Sequence, residues 1–429
     1  MSARESRSDR QPVISNLAAR VIALIALAAA TIIVARTGGA KAVGVFSLLR
    51  VLPWLAGAIA SQGVVGAAPY FLSGPTRRDR NVGPTLLAIA VVTGLVAAVA
   101  WAAASPWIED LFFKAASVTA VAAAGFLVMT QLMESTAKAC AQGTGDMAGA
   151  NRVIILEEVL YLPIYVVLLW IGVGQVAAMV AALAAGDVIN GSIAWARLSR
   201  RGLFAGGGKP TLSLATRIAR YGVSAQVGSL LMLLNERLDF AIVAAIVGPA
   251  ALGIYAIASK LAELLRMPTT AIQYVLYPQY SRVGGKEAAV RARKMMRRAG
   301  WLPIALAFPL AGGAFLLPVV YGAQFRSAII PTLILLGGLA GAGVSSVVTA
   351  FLYADGRPGL NSVAAGAGVV VTVALDLVLI PRLGVRGAAI ASTAAYLTTS
   401  AAHLWFFRVA TRSHVEVPAE PLPLAEVTT

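Results

Sequence analysis

The chain has 429 residues, 59% of them apolar and only 13% charged, about half the charge of a soluble domain, which excludes a water-soluble globule. At ~20 apolar residues per membrane crossing, this composition supplies about twelve helices with little left over. The net charge of +16 would suggest nucleic acid in a soluble protein, but here it reports orientation in the membrane, and no nucleic-acid partner is expected.

In chain order, residues 1–12 read as a basic tail. Arg4, Arg7 and Arg10 ahead of the apolar run 21–35 also fit a signal peptide, but an internal repeat pairs this run with a later span and keeps it in the mature chain. Apolar runs predict spans over 13–35, 42–73, 82–104, 115–137, 151–173 and 175–196, forming an N-lobe over 13–200. A linker over 201–220 follows. Spans over 221–247, 250–281, 300–321, 328–354, 359–380 and 387–408 form a C-lobe over 221–412, and 413–429 is a Pro- and Glu-rich tail. With 41 Gly and 20 Pro, broken or kinked helices are expected.

Loops on the side of the termini carry 24 Lys and Arg, and the opposite loops carry six. The positive-inside rule then places both termini in the cytoplasm of a multi-pass cell-membrane protein. The opposite loops are short, the one at 105–114 modestly longer, which leaves no room for an external catalytic domain and argues against an enzyme. The longer connections at 197–220 and 282–299 are basic. The first holds Gly206-Gly207-Gly208-Lys209-Pro210, but a phosphate loop requires Gly where Leu203 stands and Ser or Thr where Pro210 stands. Without a nucleotide cofactor, transport has to draw on an ion gradient or on the substrate itself. One cysteine, Cys140, and two histidines, His403 and His414, provide neither a disulfide nor a Cys/His metal centre.

The chain repeats itself. Ala42-Val43-Gly44-Val45-Phe46 matches Ala251-Leu252-Gly253-Ile254-Tyr255 at an offset of 209, which also carries Pro69 onto Pro278. Ile171-Gly172-Val173 matches Leu383-Gly384-Val385 at 212. The unit is six helices, so both lobes enter the membrane in the same direction around an axis along its normal, with a central cavity between them.

Several charges lie inside predicted spans, where each costs at least ~2.5 kcal/mol unless it faces water or a partner. Span 7 carries Asn235-Glu236-Arg237-Leu238-Asp239, and span 8 carries Lys260, Glu263 and Arg266 at helical spacing before Pro268. Span 2 carries Arg50, whose repeat equivalent Ser259 adjoins Lys260. Two readings stand: a salt-bridge network that only fixes helix packing, or a cationic cavity in which Arg50, Arg237, Lys260 and Arg266 grip an anion, with Arg20 at the entrance. Arginine's planar fork suits phosphate oxygens. Glu236 and Asp239, then Glu157 or Asp187, are the candidates for binding H+ or Na+ as coupling ion. Glu134 and Glu158 lie near them, and no partner for Asp376 can be read.

Asn235-Glu236-Arg237-Leu238-Asp239, Leu252-Gly253-Ile254-Tyr255-Ala256-Ile257-Ala258, Tyr277-Pro278, Tyr321-Gly322 with Phe325, Asp355-Gly356-Arg357-Pro358 and Arg36-Thr37-Gly38-Gly39 through Ser47 resemble the polysaccharide biosynthesis flippases (Wzx type) of the MOP exporter superfamily. The resemblance covers most of the chain. It implies an all-α transporter that flips undecaprenyl-diphosphate-linked oligosaccharide to the outer leaflet, working with membrane lipids, glycosyltransferases and a polysaccharide polymerase. Drug/cation antiporters of the same superfamily, with twelve spans, are the nearest rival. Peptidoglycan-precursor (lipid II) flippases usually carry fourteen.

Overall fold

The computed structural model describes residues 3–61, 63–73, 79–114 and 116–413. The C-terminal tail from 414 on, with His414, lies outside them. Only helices form among the described residues, as a lipid environment requires, because each helix meets its own backbone hydrogen bonds.

In the first half, α1 (Ala3–Ala60) is two rods joined without a loop: Gly39 breaks it at φ 70 and ψ −163, a left-handed conformation that glycine adopts at no steric cost. α2 (Val64–Ser73) continues the second rod. α3 (Val82–Phe112) follows, then α4 (Val118–Ala123), capped by Ser117, and α5 (Gly125–Gly143). α6 (Met147–Val159), capped by Asp146, runs into α7 (Tyr161–Trp170), and α8 (Gln175–Arg200) closes the half.

In the second half, α9 (Leu212–Ile246) is followed by α10 (Pro249–Glu263) and α11 (Arg266–Val283), which share one rod bent at Leu264–Leu265. α12 (Gly285–Ala314) leads through the short α13 (Leu317–Tyr321) to α14 (Ile329–Gly338) and α15 (Ala342–Ala354), then α16 (Pro358–Leu383) and α17 (Val385–Ser413).

Helices stand at every position where the sequence predicts a span, and among the described residues seven helical stretches are long and apolar enough to cross a membrane. The chain is a multi-pass membrane protein. Three expected loops are shorter than read. Residues 105–112 continue α3 through Pro106, the linker contracts to 201–211 because α9 begins at Leu212, and the basic segment from 285 on is the first half of α12. Residues 3–12, expected as a tail, are backbone of α1. Apolarity marks the lipid-facing part of a helix and misses the polar turns beyond it, so hydropathy underestimates helix length at both ends.

The two halves share one apolar core at the end away from the termini, built around Phe46, Tyr161, Tyr255 and Phe325, all at most 1% exposed. Toward the end that carries the termini, this core divides in two. One part packs α2, α5 and the start of α3; the other packs α11, α12, α15 and α17. The first turns of α9 cross over to the N-lobe part through Leu214 and Ile218. At the terminal end the two halves thus have separate cores, bridged by α9, which packs on α2 and α3.

Candidate functional site

The charged residues read from the sequence converge between the lobes, and the structure gives most of them partners. Arg50 on α1 donates from Nη2 to Glu158 Oε1 on α6 at 2.5 Å. Arg237 on α9 grips Glu263 on α10 with both terminal nitrogens, at 2.7 and 3.3 Å. Arg266, at the start of α11, pairs with Glu236 on α9. Glu158, one of two adjacent glutamates, could not be matched to Arg50 from sequence, since 108 residues separate them.

Lys260 differs. It meets no carboxylate within salt-bridge distance among the described residues. From α10 its Nζ crosses to the other lobe, donates to Thr31 Oγ1 at 3.0 Å and lies 5.8 Å from the centre of the Phe46 ring. Arg50 lies over the same ring at 5.6 Å. The repeat had placed a cation at one level in both lobes; the fold brings the two onto one aromatic ring, where ring quadrupole and cation attract. Four basic residues thus meet three paired carboxylates, and Lys260 is the one left without an ion-pair partner among the described residues.

One helical turn beyond Arg50, a half-open cleft of about 280 Å³ begins at Trp54 and is lined by Gly57, Ser61, Gln131, Leu230 and Leu233. Its walls come from both lobes. At its far end the lobes touch through Tyr70 and Tyr221, whose rings stack at 4.3 Å. At the opposite face they are latched by Arg36, which donates to the carbonyls of Val319 and Val320, and by the backbone N–H of Ala40, which donates to Gln324.

Arg20 stands apart from this cluster: it is exposed and donates to Asn16 at 3.0 Å. The coupling candidates divide. Glu236 is held by Arg266, Glu157 lies 3.6 Å from Lys138, and Asp187 accepts from Thr130 at 2.8 Å. Asp239, 3% exposed, accepts from Tyr255 at 2.5 Å and from Ser392 at 3.2 Å.

A residue without an assigned role completes the group around Asp239. Asp376 on α16 is fully buried, and neither of its carboxylate oxygens has a hydrogen-bond partner among the described residues. Thr372, Asn235 and Thr399 on the helices packed there likewise leave side-chain oxygens unmet. Gly368 makes this packing possible, since a Cβ there would meet Asn235 and Thr399. The two carboxylate oxygens of Asp376, buried without a hydrogen-bond partner among the described residues, suit a hard monovalent cation or a proton.

With this geometry in view, comparison with known proteins is informative. A family described as "Polysaccharide biosynthesis protein" matches residues 72–330. A probable low-salt glycan biosynthesis flippase, Agl15 of Haloferax volcanii, is 22% identical over 200 residues, which make up 46% of this chain and 42% of that protein. Among solved structures, an inward-facing multidrug resistance MATE family transporter of the MOP superfamily superposes with a TM-score of 0.71 at 15% identity, covering 95% of this chain and 99% of that one. Lipid II flippase MurJ, in an inward closed conformation, gives 0.73 at 11% identity over 94% and 90%. An outward-facing MATE structure gives 0.62 at 13% identity over 95% and 97%. The fold is that of these transporters.

Proposed function

The chain belongs to the polysaccharide biosynthesis protein family, and on that footing we propose that it flips a polyprenyl-diphosphate-linked oligosaccharide from the cytoplasmic to the outer leaflet of the cell membrane. In this reading the chain crosses twelve times, both termini are cytoplasmic, and the cytoplasmic entrance opens between the two separate cores of the terminal end when the Tyr70–Tyr221 contact parts.

Lys260 is the observation that carries the reading. A cation kept between two lobes without a carboxylate is costly unless something else neutralises it, and a diphosphate arriving through the cleft does so. Arg50 and Arg237 then stand within the same cluster with their forks occupied by Glu158 and Glu263. Phosphate oxygens compete for those forks in bidentate fashion, so substrate entry exchanges internal ion pairs for ligand pairs at modest net cost. The glycan passes by way of the interlobe cleft, where Ser61, Gln131 and Ser135 offer it polar groups, and the polyprenyl chain stays in lipid. Glycosyltransferases would supply this substrate and a polymerase would consume it.

The Asp239–Asp376 group supplies the coupling. A single Na+ or H+ entering it cancels one of the two buried carboxylate charges on α9 and α16, and its release restores their mutual repulsion, which favours a different packing of the C-lobe. A drug antiporter of similar fold would take organic cations, which Lys260 repels. A lipid II flippase would use the same diphosphate, and the family match favours the polysaccharide substrate.

The test is complementation of a flippase-deficient strain together with flipping of a diphosphate-linked glycan in proteoliposomes. Wild type should restore both, and Lys260→Met should fail in both at normal membrane abundance. Full activity of Lys260→Met would remove the diphosphate-binding role.

A further inference from the structure

The N-lobe holds a second buried polar group that the cation cluster does not use. Glu134 on α5 is 3% exposed and Asn190 on α8 is 1% exposed. Asn190 Nδ2 donates to Glu134 Oε1 at 2.8 Å and to the Val153 carbonyl at 3.0 Å. The remaining atoms of the pair, Glu134 Oε2 and Asn190 Oδ1, are buried without a hydrogen-bond partner among the described residues. Two acceptors left unmet on one bonded pair are expensive in a low-dielectric interior.

The surroundings do not favour a charge on Glu134. Asp187, on α8, and Glu157, on α6, are acids that act on it, and Lys138, on its own helix, is the cation that does. Lys138 is also shared with Glu157, at 3.6 Å. The Arg50 of α1 is committed to Glu158 of α6. One proton on Glu134 Oε2 resolves the arrangement: the new O–H donates to Asn190 Oδ1 while the amide N–H continues to donate to Oε1. Both orphan oxygens are then satisfied in a reciprocal acid–amide pair.

We propose that Glu134 carries a proton in this conformation, and that the Glu134–Asn190 pair is a proton-binding site of the N-lobe, distinct from the Asp239–Asp376 group of the C-lobe. The proton has a short route out. Gln131 and Ser135, on the same helix beside Glu134, line the interlobe cleft, so a small rotation of α5 brings the acid to water. Release passes the proton to that water and leaves a third carboxylate charge beside Asp187 and Glu157, which drives α5 and α8 apart. Only this use in transport rests on the flippase reading; the protonation itself does not.

Infrared spectroscopy of the purified full-length protein in lipid nanodiscs tests the site without requiring activity. At neutral pH, wild type should show a protonated-carboxyl C=O band that is missing from Glu134→Gln and displaced or lost in Asn190→Leu. Gln reproduces the protonated acid's shape and hydrogen bonds, so Glu134→Gln should melt at or above the wild-type temperature, whereas Glu134→Ala should melt lower. Superimposable carboxyl regions in wild type and Glu134→Gln, or a Gln variant that fails to fold, would overturn the proposal. If the band is present but no gradient or substrate gives flipping, the proton site stands and the transport reading falls.

Discussion

Gly44 and Gly253, equivalent positions of the two halves, occupy each other's side-chain space. A Cβ on Gly44 would overlap the Pro249 carbonyl and crowd the Gly253 nitrogen, and one on Gly253 would overlap the Ala40 carbonyl and crowd the Gly44 nitrogen. The repeat thus meets itself, and α1 and α10 cross with backbones nearly touching, a contact that only small residues allow.

Replacing either glycine by Ala should therefore separate the lobes at their joined end. The expected loss is about 1–3 kcal/mol, as for overpacked interiors, seen as a lower unfolding temperature of purified Gly44→Ala. Gly66→Ala is the control, because a Cβ there meets nothing within 4 Å and a helical Gly→Ala change is neutral to mildly stabilising. Equal behaviour of the two variants would contradict the close crossing.

Arg50→Met alone leaves the half-buried Glu158 without its cation, which should destabilise by at most about 3 kcal/mol. The double variant Arg50→Met with Glu158→Met removes both charges and should recover most of that stability. Transport should not recover with it, since the guanidinium fork is gone. Restored flipping in the folded double variant would show Arg50 to be a packing residue.

If Asp239 and Asp376 share the coupling cation, Asp376→Asn should make flipping in proteoliposomes insensitive to imposed Na+ and pH gradients while downhill flipping persists. Asp239→Asn should do the same and also weaken the bonds from Tyr255 and Ser392. Rates that respond to gradients in Asp376→Asn as in wild type would move coupling elsewhere.

Asp146 gives a pH prediction outside the membrane. It caps α6 through the Gly149 N–H at 3.0 Å and takes two bonds from Arg197, at 2.6 and 2.8 Å. The Arg197 guanidinium above all, helped by the Gly149 N–H, holds its carboxyl below the usual range. A lowered folded pKa means that this stability is complete above the unfolded value of about 3.9 and is lost as pH falls through the folded one. Thermal midpoints of wild type should decline in that acid window more than those of Asp146→Asn, which retains a cap but no ion pair. Asp146→Ala should cost about 1 kcal/mol at neutral pH.

The helical segments and the two-fold repeat were legible in the sequence because a bilayer forces long apolar runs and because Gly44/Gly253 and Pro69/Pro278 preserve one register. The cation cluster was half legible. Charge inside an apolar run marks Arg50, Arg237, Lys260 and Arg266, but whether each is paired depends on helices far apart in the chain. Glu158 on Arg50 and Thr31 under Lys260 are such cases, separated by 108 and 229 residues. Asp376 had no readable role because no charged residue lies within a helical turn of it in the sequence, and its unmet oxygens show only once the helices pack.

The bend between α10 and α11 falls at Leu264–Leu265, between Glu263 and Arg266, both of which hold partners on α9. Chemistry and mechanics therefore share one point. The 18 residues of α11 form a lever of roughly 27 Å at 1.5 Å per residue. A bend of about ten degrees at its base, when a ligand loosens those two ion pairs, sweeps its tip by roughly 5 Å over the same length. A charge exchange of a few ångströms is thereby geared up into the displacement that opens or shuts one wall of the entrance.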